Sequence, residues 1–179
     1  MKRLSFLIVS TMVFLFAAAP LFAQLEIHEK LLPFKDLMGR RFKGKISEPD
    51  AKNEMWDVMH FERALNGNAL RVLHSVNDGE YGGESIIFWD EAKQSLVYFY
   101  FTTAGFYTQG TMKMVSDSKW TAHETVVGPA DGTTEVKSTG EIMRDGTLKT
   151  TSEYLRKGKW VPGHSGTYEP AAFIDVKFH

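Results

Sequence analysis

The chain has 179 residues and a formal charge of -1, with 43% apolar and 24% charged residues. That balance excludes the basic excess of a dedicated nucleic-acid-binding domain and the low apolar content of a disordered chain. With no cysteine, a disulfide framework, a thiol nucleophile, cysteine-held zinc and a lipid-anchored N-terminal cysteine are excluded as well.

Met1-Lys2-Arg3 makes a short basic start, and Leu4 to Phe22 follows without a charge. Ala17-Ala18-Ala19-Pro20-Leu21-Phe22 then leads to the small residue Ala23. This pattern reads as a secretory signal peptide over 1–23, with a periplasmic or secreted product. Retention as an anchor is the alternative, because ~20 apolar residues can span a bilayer. The remainder, 24–179, reads as one domain that must rest on its core.

Leu31, Leu32, Phe34, Leu37 and Met38 recur near helical spacing, interrupted by Pro33 and ended by Gly39. One short helix or two turns are expected there. From Arg40 onward, β-rich runs fall at about 40–47, 55–65, 69–76, 84–90, 95–102, 106–115, 119–127, 133–144, 147–156 and 159–168. Turn signals separate them, among them Glu48-Pro49-Asp50, Asn66-Gly67, Asn77-Asp78-Gly79 and Asp145-Gly146. Asn-Gly and Asp-Gly supply the positive φ that tight hairpins need. Regular strands without intervening helices predict an all-β fold, and short loops favour neighbour-to-neighbour pairing. The expected architecture is a closed up-and-down antiparallel barrel of about ten strands with a short N-terminal helix.

Side chains alternate across a strand, so the turns sort residues into two faces. An Asn66-Gly67 loop pairs Arg63 with Leu70, Phe61 with Val72 and Met59 with His74. The same face then takes Ser85, Ile87, Trp89, Leu96, Tyr98, Tyr100, Thr108, Gly110, Met112 and Met114. Trp120, Ala122, Glu124, Val136 and Ser138 continue it, followed by Leu148, Ser152 and Tyr154 unless a two-residue Asp145-Gly146 loop reverses that strand. The opposite face, with Gln109, Lys113, His123, Glu135 and Lys137, reads as solvent-facing. The first face is therefore the interior, apolar but interrupted by polar groups, which is the usual form of a small-molecule site.

One outer stretch breaks this rule. Leu73, Ile86, Phe88, Val97, Phe99 and Phe101 form an apolar patch large enough to imply a cover. The N-terminal helix or a second copy would provide it, and the homodimer is the favoured reading.

Among chemical candidates, His74 and Glu124 would act as an acid–base pair if they met within about 3 Å. The bland alternative is a buried His74 bonded to Tyr100 or Ser85. His60, His74, His123 and His164 lack compact ligand spacing, so no metal site is expected, and no motif calls for a cofactor.

The segment Leu32-Pro33-Phe34-Lys35-Asp36-Leu37-Met38-Gly39-Arg40-Arg41-Phe42-Lys43-Gly44 resembles the opening of lipocalin-like (calycin) barrels. Phe42 stands where that pattern often has Trp. The runs His74 to Glu84, Tyr98 to Tyr107, Ser152 to Leu155 and Gly158 to His164 also resemble an uncharacterised exported bacterial family of unknown function. The resemblance implies a barrel that binds small apolar ligands. It also implies, through related ten-strand barrels of the nitrobindin type, a haem alternative at His164 or His179.

The expected function is thus an exported barrel binding a small, largely apolar molecule. Ile87, Trp89, Met112 and Trp120 would supply contact area. His74, Tyr98, Tyr100, Thr108, Glu124, Ser152 and Tyr154 would orient a polar end. The alternatives are an isomerase or hydrolase using His74 and Glu124, and a dimeric interaction module with a solid core.

Overall fold

Runs that alternate between apolar and polar residues become strands. In β1 (Arg41–Ser47), Phe42, Gly44 and Ile46 are buried while Lys43 and Lys45 face solvent. The strands that follow are β2 (Met55–Ala64), β3 (Ala69–Val76), β4 (Tyr81–Asp90), β5 (Ser95–Thr102) and β6 (Tyr107–Ser116). Then come β7 (Lys119–Val127), β8 (Thr133–Ile142), β9 (Leu148–Arg156) and β10 (Lys159–Pro170). Each pairs antiparallel with its sequence neighbours, and β1 closes on β10, giving a ten-strand barrel without free edges. The computed structural model describes residues 26–47, 54–128 and 130–179. The signal-like segment over 1–23 and the Glu48-Pro49-Asp50 turn lie outside the described residues.

Two turns set the phase of the sheet. Leu65, Asn66 and Gly67 take φ of 47°, 54° and 93°, and Met59 pairs with His74, Phe61 with Val72 and Arg63 with Leu70. The loop is longer than two residues, but it keeps the expected register. At Asp145-Gly146 the loop again exceeds two residues. The Asp145 carboxylate accepts from the Thr147 backbone N–H at 3.0 Å and from its hydroxyl at 2.8 Å. Ile142 therefore pairs with Leu148, and Ser152 and Tyr154 stay on the inner face.

The N-terminal segment forms a 3-10 helix over Glu29–Leu37. Its buried residues, Leu31, Phe34 and Leu37, recur every three residues, which is the 3-10 repeat rather than the α repeat. His28 Nδ1 caps the start by accepting from the Lys30 N–H at 3.2 Å. The three side chains enter one end of the barrel, where Phe34 meets Trp120 edge-on at 5.4 Å. Leu31, Leu37, Phe42 and Leu70 are all 0% exposed there.

The helix thus closes a barrel end and does not cover the outer patch, which removes one of its two expected covers. Leu73, Ile86, Phe88, Val97, Phe99 and Phe101 do lie together on the outside of β3, β4 and β5. Past β10 the chain crosses the outside of the barrel. Ala171 N–H donates to Arg41 O, Lys177 N–H donates to Ser75 Oγ at 3.1 Å, and His179 Nε2 donates to Asp78 O at 2.8 Å.

Candidate functional site

The half of the interior away from the helix is differently built. Val72, His74, Tyr81, Tyr100, Glu124, Ser138, Ser152 and Tyr154 point inward yet keep accessible surface. A packed core would leave them none, as at the helix end. The interior is therefore a packed floor beneath a polar-lined cup whose side chains keep some accessible surface.

On one wall the β2–β3–β4–β5 register sets a chain of polar groups. His74 Nδ1 lies 3.1 Å from Asp57 Oδ1, and its Nε2 lies 2.6 Å from the Tyr100 hydroxyl. That hydroxyl is 2.8 Å from the Tyr81 hydroxyl. The Tyr168 hydroxyl donates to the other Asp57 oxygen at 3.0 Å. Asp57 is 2% exposed, so its carboxylate depends on these partners. Burial pushes the Tyr81, Tyr100 and Tyr168 hydroxyls above the usual phenol range. With no side chain of its own, Gly83 leaves room for the Tyr100 ring, which a methyl group there would strike.

On the adjoining wall, Glu124 projects inward from β7 beside Gly110 of β6. A Cβ on Gly110 would come within 2.8 Å of Glu124 Cβ, so glycine clears the position. The Thr108 hydroxyl donates to the Glu124 carboxylate, and Tyr98 bonds it as well. Burial raises the Glu124 carboxyl pKa, with the bonds from Thr108 and Tyr98 pulling the other way. On a third side, Tyr154 bonds His164 Nδ1 at 2.7 Å, and the Ser152 hydroxyl donates to His164 O at 3.0 Å. A bulge between Pro162 and Ser165 carries His164 to this position. Thr108, which bonds Glu124, pairs with Tyr100 across β5 and β6, so Glu124 and the Tyr81–Tyr100 pair belong to one inner face.

The structure brings His74 and Tyr100 into contact, and separately Tyr98, Thr108 and Glu124. His74 and Glu124 do not form the acid–base pair considered above: each is bonded to other partners. Both ring nitrogens of His74 are engaged, which fits a structural link. Of the apolar candidates, Ile87 and Met112 are buried in the floor, Trp120 packs on Phe34, and Trp89 carries the Lys30 ammonium at 5.4 Å. Asp57 escaped sequence reasoning although alternation placed it, two residues before Met59, on the inner face. His60 and His123 sit on the outer face beside Glu62 and Glu135, at 3.2 and 2.7 Å. His179 also lies outside, which leaves His164 for the haem alternative.

No family model matches the chain, and no curated protein matches it in sequence. Among solved structures it is similar to the crystal structure of Rv2717c from M. tuberculosis. The TM-score is 0.62 at 13% identity, covering 82% of this chain and 99% of that one. A de novo designed fluorescence-activating β-barrel aligns over 78% of this chain and 98% of the design at 10% identity, with a TM-score of 0.38. The likeness to Rv2717c is one of barrel fold. It does not extend to the calycin superfamily or to an activity.

Proposed function

We propose that this protein is an exported barrel that binds a small molecule in the hollow half of its interior. The observation that carries the reading is the contrast between the two barrel halves. One is filled by Leu31, Phe34 and Leu37, and the other is lined by polar groups that keep accessible surface. Pre-formed concave sites with a few converging polar groups are where small molecules bind. Because the expected apolar contacts Ile87, Met112 and Trp120 form the floor, the ligand meets tyrosine rings and hydroxyls. It therefore carries an apolar body with polar atoms near Glu124 or Tyr81. The segment over 1–23 supports export, and the outer patch supports a homodimer through Leu73, Ile86, Phe88, Val97, Phe99 and Phe101.

Titration with the neutral dye Nile red tests interior binding. Ser138→Trp, and separately Ser152→Phe, would fill the cup from β8 and β9. Binding is expected to weaken by about tenfold or more in either variant. Equal affinity in wild type and folded variants would place the dye elsewhere and overturn the reading.

A further inference from the structure

We propose that the ligand is an organic cation, an alkylammonium or cationic nitrogen heterocycle, seated with its charge against Glu124 and facing the Tyr81–Tyr100 wall. The proposal rests on the interior-binding reading and names the chemistry of its ligand. Among the described residues, two acidic side chains enter the polar half of the interior, Asp57 and Glu124, and their surroundings differ. Asp57 is held by a base, His74 at 3.1 Å, and by the Tyr168 hydroxyl at 3.0 Å. Glu124 is held by two neutral hydroxyls, those of Thr108 and Tyr98. The basic group that acts on it is His123, one residue along on the outer face and already bonded to Glu135 at 2.7 Å. A carboxyl drawn out of water without a cation keeps its proton more tightly, and a cation seated on it releases that proton to solvent and pairs with the carboxylate left behind.

The wall around it suits the same class. Tyr81 and Tyr100 bring aromatic rings and hydroxyl oxygens to the inner face that carries Glu124, since Tyr100 pairs with Thr108, which bonds Glu124. Tyrosine rings attract cations through the negative charge on the ring face. This barrel already uses that attraction at the rim, where the Arg156 guanidinium lies 5.0 Å from the Tyr154 ring centre. Arg156 donates to Thr133 at 2.9 Å and is not among the groups that act on Glu124.

The test compares two probes of one shape on the intact protein: a dimethylaminostyryl-N-methylpyridinium dye and its neutral stilbene analogue. Wild type is expected to prefer the cation by about tenfold, and Glu124→Gln to bring the two probes to equal affinity by weakening the cation. Glu124→Asp should retain part of the preference. If both probes bind equally and Ser138→Trp expels both, interior binding stands and the cation proposal is overturned. If neither probe responds to Ser138→Trp, the cup is not a binding site and both readings fail. The wild-type comparison requires no variant, so a poorly folding Glu124→Gln does not shield the proposal.

Discussion

Glu124 and Asp57 share one chemistry in two surroundings, and the difference has a pH signature. Burial raises the Glu124 carboxyl above its ordinary 4.5. The folded chain therefore holds a proton that the unfolded chain releases, and stability falls as pH rises from about 4.5 through the folded value. Glu124→Gln removes that loss while keeping an acceptor for Thr108. Its thermal midpoint is expected to exceed that of wild type at about pH 8 and to merge with it near pH 4. A variant less stable than wild type at about pH 8 would contradict the burial argument. At this scale much of the site was legible. Alternation alone put His74, Tyr98, Tyr100, Thr108 and Glu124 on one face. It carried no distance across the barrel, so the imagined His74–Glu124 contact gave way to the nearer Asp57 and Thr108.

Among the elements, the 3-10 helix decides how much of the interior remains open. Phe34 is 1% exposed and packs on Trp120, so Phe34→Ala is expected to cost about 3–4 kcal/mol in urea denaturation. Leu32→Ala, at a residue 51% exposed on the same helix, should cost under about 0.5 kcal/mol. Equal losses would mean that the helix is not anchored through Phe34. Its apolar residues were visible as a pattern, but spacing could not show whether they lay on the barrel's outer patch or entered its mouth. The turn at Asp145 teaches the same lesson. Its residues marked a reversal, while the bonds from Thr147 to the Asp145 carboxylate, which set the loop length, decided the phase of β9.

For the whole molecule, closure satisfies the sheet edges but leaves an outer patch in which Val97 is 3% exposed, Leu73, Ile86, Phe88 and Phe99 are half-buried, and Phe101, stacked 6.3 Å from Phe99, is 51% exposed. Phe99→Lys is expected to convert a dimer to a monomer in sedimentation while dye binding in the cup persists. A wild-type chain that sediments as a monomer at high concentration would remove the dimer from the account. The ten strands, their order and, β9 apart, their two faces were legible in the residues alone, because β-alternation and turn residues act over a few positions. Which half of the interior is filled, which acid meets a base, and what lies over the outer face were decided by the tertiary structure. Those outcomes depend on where segments far apart in sequence come to rest, and local periodicity carries no term for that.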